Sequence, residues 1–446
     1  MGQRPSQSVD SPVLSWQELE DNFKDLHPAL NAQEIQVEST RCLYCYDAPC
    51  IQACPTSINI PKFIRQLATG NPTGSAKTIL TSNIMGGTCA RACPTEVLCE
   101  QRCVLNDGEH EPIKIGQLQR SAVDHLLDTA QEHPFMRAPE TGKKVAVIGA
   151  GPAGLSCAHG LARLGHRVVV FESRAKAGGL NEYGLAAYKM VDDFAAREVE
   201  FILQLGGIDI QYGKALGSAV SLTQLQQDYD AVFIGIGLGK AHQLDLAGAD
   251  LSGIGDAIEF IEQLRQADDI SIMKPGNNVV VIGGGNTAID AAVQSKRLGA
   301  DQVTLIYRRG AHQMGATEFE QDLAAINGVN VIHWAMPVGF TGESSVQSAE
   351  FEHCAIIDGK LSGNGEIFSI DADCVLLAVG QYMVDEGLNS LDFEKGKISV
   401  DEHFKTSLNG VYAGGDCVHS GEDLTVQSVE DGKRAAKAIN EFLVEV

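Results

Sequence analysis

The stretch that decides the fold is KKVAVIGAGPAGLSCAHGLARLGHRVVVFES, residues 143–173. A strand-length apolar run is followed by G-x-G-x-x-G at Gly149, Gly151 and Gly154, then by a helical pattern and a second apolar strand. The first glycine permits a tight turn, the second admits a pyrophosphate, and the third lets helix and strand pack closely. The second strand ends at Glu172, where a carboxylate can bind ribose hydroxyl groups. This context predicts a dinucleotide-binding unit, although the glycine pattern alone would indicate only a tight turn.

A second unit of the same kind spans residues 277–309, NNVVVIGGGNTAIDAAVQSKRLGADQVTLIYRR, with Ala288 in place of the third glycine. Its strand ends in Arg308 and Arg309 instead of an acid. Arginine can pair with a 2′-phosphate, which favours NADPH over NADH, and the alternative is a solvated basic edge. The predicted NAD(P) contacts are Gly283, Gly284, Gly285, Asn286, Thr287, Arg308 and Arg309.

The C-terminal segment GVYAGGD, residues 410–416, precedes a helical pattern that begins near Thr425. Asp416 suits a contact to the ribityl or phosphate part of a flavin, and a helix N-terminus can stabilise negative charge on the reduced ring. Gly-Gly-Asp by itself is usually a turn. The upstream glycine unit, and the second unit inserted between them, favour an FAD site.

Two cysteine groups lie near the N-terminus: RCLYCYDAPCIQACP, residues 41–55, and GTCARACPTEVLCEQRC, residues 87–103. Disulfides, zinc and iron–sulfur clusters are the alternatives. The first spacing, C-x2-C-x4-C-x3-C-P, resembles the ferredoxin run whose fourth cysteine reaches a second cluster. Zinc sites usually pair two C-x2-C knuckles, and the second group is C-x3-C-x5-C-x3-C. Iron–sulfur is therefore favoured, with Cys42, Cys45 and Cys50 on one cluster and Cys54 on another.

Composition limits the kinds of partner. The net charge of −24 and the pI of about 4.8 disfavour nucleic acid and anionic membranes. The longest apolar runs are far shorter than the roughly 20 residues of a membrane span. Twelve cysteines without a visible secretory signal indicate a reducing compartment, so we expect a cytoplasmic protein.

The cysteine region followed by GAGPAGL, GGGNTAID and the terminal GGD resembles the N-terminal half of dihydropyrimidine dehydrogenases, and most of all the separate flavin subunit of the bacterial enzymes. It is also similar to the glutamate synthase small subunit. The resemblance covers residue 41 to the C-terminus and implies two 4Fe–4S clusters. The implied ligands of the first are Cys42, Cys45, Cys50 and Cys103, and those of the second are Cys54, Cys93, Cys99 and Gln119.

Two positions bear on this resemblance. Leu118-Gln119 follows the pyrimidine-type pattern, where glutamate-synthase-type chains typically have Ile-Glu, and Cys89 is left as a buried thiol. Ala186-Ala187 replaces a common Ile-Pro pair, which weakens the inference for contacts such as Lys189. The FAD contacts expected from the motifs and the resemblance are Gly149, Gly151, Pro152, Ala153, Gly154, Glu172, Gly179, Leu180, Lys189, Gly415, Asp416, Thr425 and Val426.

The predicted fold class is an α-helical domain with two 4Fe–4S clusters, followed by an α/β flavoprotein whose FAD domain contains an inserted NAD(P) domain. The predicted boundaries are 1–40 for an N-terminal arm, 41–130 for the iron–sulfur domain, 143–265 and 375–446 for the FAD domain, and 266–374 for the NAD(P) domain.

The predicted function is that of an electron-input subunit. It would oxidise NAD(P)H through FAD and pass electrons through both clusters to a partner subunit with FMN and iron–sulfur centres, which reduces uracil or thymine. No pyrimidine-reducing barrel is visible in the sequence. The alternatives are a glutamate synthase small subunit, an NADPH:ferredoxin-type reductase and, outside the enzymes, a metal-stabilised interaction scaffold.

Overall fold

The computed structural model describes residues 14–108, 110–130, 132–419 and 421–445. Residues 1–13 of the predicted arm therefore lie outside the described residues. The chain divides into two compact units. We call residues 25–183, 189–240 and 381–446 the large unit, and residues 184–188 and 241–380, with the described part of residues 1–24, the small unit.

The helices and strands are numbered in chain order. The helices are α1 (Trp16–Asn22), α2 (Ala32–Thr40), α3 (Pro49–Gln52), α4 (Ile60–Ala68), α5 (Pro72–Ser82), α6 (Gly86–Ala92), α7 (Ile115–Thr129), α8 (Pro152–Arg163), α9 (Leu180–Tyr183), α10 (Phe194–Leu203), α11 (Leu222–Asp228), α12 (Ala257–Gln266), α13 (Asn286–Arg297), α14 (Glu318–Ile326) and α15 (Thr425–Glu445). The strands are β1 (Lys144–Ile148), β2 (Arg167–Phe171), β3 (Ile208–Gln211), β4 (Ala231–Ile234), β5 (Lys240–Ala241), β6 (Ile254–Asp256), β7 (Asn278–Gly283), β8 (Gln302–Tyr307), β9 (Asn330–His333), β10 (Ala335–Gly342), β11 (Val346–Ile357), β12 (Lys360–Asp371), β13 (Cys374–Ala378), β14 (Gln381–Tyr382), β15 (Phe393–Glu394), β16 (Lys397–Ile398) and β17 (Val411–Ala413). Short 3-10 helices lie at Thr95–Val97, Val104–Asp107, Ile270–Ile272 and Ala311–Gln313.

The cysteine region of the large unit is built from α2 to α7. Two helices, α4 and α5, follow each other here, and the chain breaks between them where Asn71 caps α5 and Pro72 begins it. Proline suits the first helical turn because its missing N–H group would have no helical partner there. Phe63, Ile79 and Leu118 are fully buried where α4, α5 and α7 meet. Apolar packing thus brings together the loops that carry the two cysteine groups.

The parallel sheet of the large unit has the strand order β17-β4-β1-β2-β3. Strands β1, β2, β4 and β17 are almost continuously apolar and buried, as expected for a parallel sheet covered by helices, whereas the edge strand β3 alternates half-buried and exposed residues. Helices α8 and α15 pack closely on each other. Because parallel strands end at one edge, the segments after β1, β2 and β17 all leave the sheet on the same side, where α/β proteins bind ligands.

The small unit contains a second parallel sheet, β6-β13-β7-β8-β9, and an antiparallel sheet, β10-β11-β12. The longest segment of the small unit begins at Ala241, well before the predicted start of the NAD(P) domain at residue 266, and it ends at Gly380 instead of residue 374. The reason is that β6 pairs with β13 and α12 packs on α13, so both elements belong to this sheet and its cover.

The N-terminal arm is not one body in the structure. Helix α1 belongs to the small unit, where the Asn22 side-chain amide donates to the Arg297 carbonyl oxygen at 2.9 Å. Asp25 and the residues after it belong to the large unit, because Arg120 pairs with the Asp25 carboxylate at 2.6 Å and donates to the His27 carbonyl oxygen at 2.6 Å. The arm therefore divides between residues 24 and 25.

Residues 184–188 lie between two segments of the large unit, yet they fold with the small unit. The Tyr188 hydroxyl donates to Asp290 at 3.0 Å, and the Ala187 N–H donates to Gln294 at 2.9 Å. Asp290 and Gln294 lie one turn apart on α13, so this helix holds the segment.

Among the described residues, no helix combines the length and the apolar composition that crossing a bilayer requires.

Candidate functional site

The first glycine turn has the geometry that its sequence pattern predicts. Gly149 has φ of +94°, and a Cβ on Gly149 would overlap the carbonyl oxygen of Gly235. A Cβ on Gly154 would overlap the carbonyl oxygen of Gly149. At Gly151 the nearest atom to a Cβ would be the Gly179 Cα, at 3.8 Å. Gly149 and Gly154 therefore serve the turn and its packing. Gly151 leaves the open space beside the N-terminus of α8 that a pyrophosphate requires.

Glu172 lies directly beside this turn. It is buried, and its carboxylate accepts the Ala150 N–H at 2.7 Å and the Arg174 N–H at 2.8 Å. The Gly178 N–H donates to the Ala150 carbonyl oxygen at 2.8 Å, which brings the following residues, Gly179 and Leu180, against the turn. The structure thus brings together the predicted contacts Gly149, Gly151, Pro152, Ala153, Gly154, Glu172, Gly179 and Leu180.

The C-terminal segment reaches the same turn. Gly415 has φ of +79°, and a Cβ there would lie 2.8 Å from the Ala153 Cβ. Its N–H donates to buried Asp431 at 3.0 Å. Asp416 accepts a hydrogen bond from the Ser428 hydroxyl at 3.0 Å, and burial raises the pKa of its carboxyl group. Gly415 and Asp416 therefore lie beside the N-terminal end of α8, as an FAD site requires.

Thr425 and Val426 form the first turn of α15, and Val426 is buried. The Thr425 hydroxyl donates to Asn181 Oδ1 at 3.0 Å, which joins this helix start to α9. The other predicted contact, Lys189, is buried in the same unit and directly follows the segment that folds with the small unit. Its role toward a flavin stays a prediction.

The second glycine turn lies in the small unit, at the end of β7. A Cβ on Gly284 would overlap the ring of Tyr307, and at Gly285 a Cβ would meet nothing within 4 Å. The Tyr307 hydroxyl donates to the Gln313 carbonyl oxygen at 2.6 Å, so the ring is held over the turn. Asn286 Oδ1 is buried without a hydrogen-bond partner at the start of α13. This open turn with an unpaired acceptor fits a nucleotide.

The two arginines of this unit follow β8, which is the strand next to the glycine turn. Arg308 and Arg309 are exposed, and within the described residues neither forms an ion pair. The Gly283 end of β7 and the Arg308 end of β8 lie on the same edge of the sheet, because the two strands are parallel. This placement fits a contact to the adenosine ribose or its 2′-phosphate.

Cys42, Cys45, Cys50 and Cys103 line one cavity of about 30 Å³. The rest of its wall is largely apolar and includes Ile60, Ile64, Ile113 and Ile115. Burial raises the pKa of Cys42, and it raises the pKa of Cys50 to about 12. The raised pKa of Cys42 and of Cys50 favours their protonated thiols, and iron must displace these protons when it binds. Four sulfur donors around an apolar cavity fit an iron–sulfur cluster.

The second cysteine set lies deeper in the large unit. Burial raises the pKa of Cys93 well above its ordinary value, and the neighbouring thiols of Cys89, Cys99 and Cys54 raise it further. Burial, and then the neighbouring Glu100, raises the pKa of Cys99 well above its ordinary value, and the Cys54 and Cys50 thiols add to the rise. Cys54, Cys93 and Cys99 thus lie in one region of the large unit, and so does Cys89, which the resemblance left outside. Within the described chain, no three His, Cys, Asp or Glu side chains converge as they would around a single metal ion.

Gln119 lies beside helix α6, which carries Cys89 and is followed directly by Cys93. It is 7% exposed, and its Nε2 donates to the Gly86 carbonyl oxygen at 2.7 Å. Because the amide nitrogen is engaged, the oxygen is the atom that can act as a metal ligand. Its ligand role stays a prediction that this geometry supports.

Sequence reasoning missed Glu198, which caps the same helix. Its carboxylate accepts the Gly87 N–H at 2.8 Å, the Thr88 N–H at 3.1 Å and the Thr88 hydroxyl at 2.5 Å. A signal existed in the sequence, since Glu198 falls at a buried position of α10 between Phe194 and Phe201. A carboxylate on the apolar face of a helix needs partners, and here they are the free N–H groups of α6.

Asn181 was also missed, and it links the two sites of the large unit. Its Oδ1 accepts the Thr425 hydroxyl, and its Nδ2 contacts Met85 Sδ at 3.9 Å. Met85 directly precedes α6. Asn181 thus contacts both the start of α15, beside the glycine turn, and the start of α6, beside the second cysteine set.

Two family matches divide the chain as its motifs do. The family described as pyridine nucleotide-disulphide oxidoreductase matches residues 143–432. The family described as dihydropyrimidine dehydrogenase domain II, 4Fe–4S cluster, matches residues 19–131. The first implies FAD and NAD(P), and the second implies a 4Fe–4S cluster. The predicted order of an iron–sulfur domain followed by an FAD/NAD(P) flavoprotein is therefore confirmed.

Curated relatives match along most of their length. The NAD-dependent dihydropyrimidine dehydrogenase subunit PreT of Escherichia coli K12 is 35% identical over 424 residues, which are 95% of this chain and 98% of the relative. A PreT homolog of Salmonella typhi is 34% identical over 410 residues, covering 92% and 94%. The glutamate synthase (NADPH) small chain of Escherichia coli K12 is 31% identical over 462 residues, covering 98% and 97%. The predicted resemblance to both groups is confirmed.

Solved structures support the same fold. FprA of Mycobacterium tuberculosis in complex with NADPH has a TM-score of 0.58 at 19% identity, covering 69% of this chain and 85% of FprA. Thioredoxin reductase of T. acidophilum has a TM-score of 0.54 at 20% identity, covering 68% and 99%. At these identities the solved structures show the fold alone. The family match over residues 143–432 shows that the chain belongs to the pyridine nucleotide-disulphide oxidoreductase family, as an oxidoreductase with FAD, NAD(P) and an N-terminal 4Fe–4S domain.

Proposed function

We propose that this chain is the electron-input subunit of a heteromeric dihydropyrimidine dehydrogenase. It oxidises NAD(P)H and delivers the electrons, through two 4Fe–4S clusters, to a partner subunit with FMN and iron–sulfur centres that reduces uracil or thymine. One observation carries the proposal: within the large unit, Asn181 contacts both Thr425 beside the FAD-type turn and Met85 before α6. The flavin residues and the cysteine residues are thus parts of one packed body.

The residues present fit the cofactors. Bound FAD would accept a hydride and release electrons singly, which is chemistry that no side chain supplies. The chain's own part is to bind the pyrophosphate at the start of α8, with Gly151 open and Glu172 beside the turn. The proposed ligands Cys42, Cys45, Cys50 and Cys103 bind one cluster, and Cys54, Cys93, Cys99 and Gln119 bind the other.

NADPH is the proposed nucleotide, on the strength of the exposed pair Arg308 and Arg309 after β8. Guanidinium groups at this position can form charge-assisted hydrogen bonds to a 2′-phosphate. The relatives' names point both ways, since the PreT subunits are NAD-dependent and the glutamate synthase chains are named for NADPH.

A glutamate synthase small chain is the second candidate, and relatives of 30–31% identity support it. Gln119 favours the pyrimidine-type assignment, because the glutamate-synthase-type pattern has glutamate there. The PreT relatives are also slightly more similar, at 34–35% identity.

The test compares the reactions that the purified chain catalyses alone with those that require a partner subunit. The purified chain, with its cofactors, should reduce artificial dyes with NAD(P)H and leave uracil and thymine unchanged, and addition of an FMN-bearing partner should allow dihydropyrimidine formation. Gln119→Ala should spare dye reduction and slow turnover with the partner, while Gln117→Ala should affect neither, because the half-buried Gln117 side chain donates to the Pro28 carbonyl oxygen.

Dihydrouracil formation by the single chain would overturn this assignment. Glutamate-forming activity with a glutamate synthase large chain, and none with an FMN subunit that reduces pyrimidines, would instead favour the second candidate.

A further inference from the structure

The loop around the first cysteines exposes apolar side chains. Leu43 is 62% exposed, Tyr44 is 38% exposed and Tyr46 is fully exposed, although Cys42 and Cys45 line the cavity beneath them. Tyr44 has φ of +53°, in the left-handed region that few non-glycine residues adopt. Single exposed apolar residues are common on protein surfaces, whereas a contiguous group marks an interaction site. We call Leu43, Tyr44 and Tyr46 the cysteine-loop patch.

Three exposed cationic side chains lie near this patch, whose loop also carries the exposed carboxylate of Asp47. Arg102 lines the same cavity, and Arg65 directly follows Ile64, which also lines it, on α4. Lys62 lies one turn before Arg65 on α4. All three side chains are exposed, and in the described part of the chain none of them forms an ion pair. We call Lys62, Arg65 and Arg102 the basic rim.

The rim stands out against the charge of the whole protein. The net charge is −24, so an acidic partner is repelled by most of the surface. A local group of cations changes the sign of the potential at one place, and it thereby orients an acidic partner toward that place. An aromatic centre within a charged rim is also the usual arrangement of a protein interface.

We propose that the cysteine-loop patch and the basic rim form the docking surface for an acidic electron-accepting protein that carries an iron–sulfur centre near its own surface. The inference rests on the proposed function, because it needs electrons to leave at the first cysteine set. The loop that forms the patch is also part of the cavity wall, so a partner seated on it is separated from the cavity by that loop. A small and transient interface is typical of redox partners.

The experiment uses the chain with its cofactors and, as probe, a purified acidic ferredoxin with 4Fe–4S clusters. Its dissociation constant is measured by calorimetry at several NaCl concentrations for the wild type, Tyr46→Ser and Arg65→Glu. The matched controls are Ile367→Ser, whose side chain is 64% exposed, and Lys360→Glu, both on β12 of the small unit. Iron content and the visible spectrum check that each variant keeps its clusters.

The wild type should bind more weakly as salt rises. Tyr46→Ser and Arg65→Glu should each weaken binding about tenfold, and Arg65→Glu should reduce the salt dependence. Both controls should stay within about twofold of the wild type, and dye reduction by all variants should be unchanged.

Equal binding by wild type and both patch variants would overturn the proposal. So would a wild type that reduces dyes with NAD(P)H yet does not bind ferredoxin at low salt, and in that case the proposed function would stand. A wild type that reduces no dye would refute the proposed function, and the docking surface with it. If Tyr46→Ser abolished self-association in sedimentation and left ferredoxin binding unchanged, the occupant would be a second copy of this chain, and the proposal would be wrong.

Discussion

Replacing Glu198 with glutamine should stabilise the folded chain at alkaline pH, and the gain should vanish at acid pH. The Glu198 carboxylate is 1% exposed and accepts hydrogen bonds from the N–H groups of Gly87 and Thr88 and from the Thr88 hydroxyl. Burial raises the pKa of Glu198 from 4.5 to about 7, and these hydrogen bonds and the charge of Arg91 oppose that rise. The folded state therefore prefers the protonated acid.

The sign and size of the effect follow from this pKa. A carboxyl group whose pKa is raised on folding contributes stability that is fully present below about pH 4.5 and is lost as the pH rises through about 7. At about 1.4 kcal/mol per pH unit, the loss approaches roughly 3 kcal/mol above pH 8. Glutamine has no such loss, because its Oε1 can accept both backbone N–H groups and its Nε2 can donate to the Thr88 hydroxyl oxygen.

The Glu198→Ala variant distinguishes the effect of the buried carboxylate charge from the effect of the hydrogen bonds that cap α6. Glu198→Ala leaves three buried donors without their acceptor, each at a cost of about 1–3 kcal/mol, so it should destabilise the chain at every pH. The assay is the urea midpoint from pulse proteolysis at pH 5 and pH 8.5, with exposed Glu200→Gln on the same helix as control. A Glu198→Gln variant that is less stable than wild type at pH 8.5, or equally shifted at both pH values, would refute the reasoning.

Three further predictions concern the cofactor sites. The anaerobically prepared chain should contain about eight iron atoms. Cys42→Ala should lower the assayed iron content by about half, and Cys89→Ala should leave it unchanged. Iron loss in Cys89→Ala would show that the ligand assignment is wrong. Replacing Arg308 and Arg309 with glutamine should weaken NADPH binding in titrations by about 1.5–3 kcal/mol per lost charge-assisted bond and leave NADH nearly unchanged, whereas equal losses would indicate a solvated basic edge. Gly154→Ala should abolish the flavin absorbance of the purified protein, because its Cβ would overlap the Gly149 carbonyl oxygen, and full retention of FAD would contradict that geometry.

The local parts of the two nucleotide sites could be predicted because their chemistry is local. A glycine that must adopt φ of +94°, as Gly149 does, and a glycine whose Cβ would overlap a neighbouring carbonyl, as Gly154 does, are constrained by residues close in the turn. Glu172 follows for the same reason, since the strand that carries it pairs directly with the strand before the turn. The cysteine spacing likewise predicted an iron–sulfur domain.

The division of the N-terminal arm, the start of the small unit and the capping of α6 by Glu198 depend on contacts between residues that are distant in the sequence. The division of the arm between residues 24 and 25 depends on Arg120, and the early start of the small unit depends on the pairing of β6 with β13, more than a hundred residues apart. No sequence pattern within residues 1–40 or near residue 266 predicts these contacts, because they form only when elements distant in the sequence pack against each other.

By itself, then, the sequence determined the turns, the strand and helix order, and the residue types that can bind a dinucleotide or iron. Only the tertiary structure decided that Glu198 caps α6 and that Asn181 contacts both the start of α15 and Met85. The physical reason is that a glycine turn is limited by the backbone of its own neighbourhood, whereas a buried carboxylate or amide is stable wherever the packed fold supplies its hydrogen-bond partners.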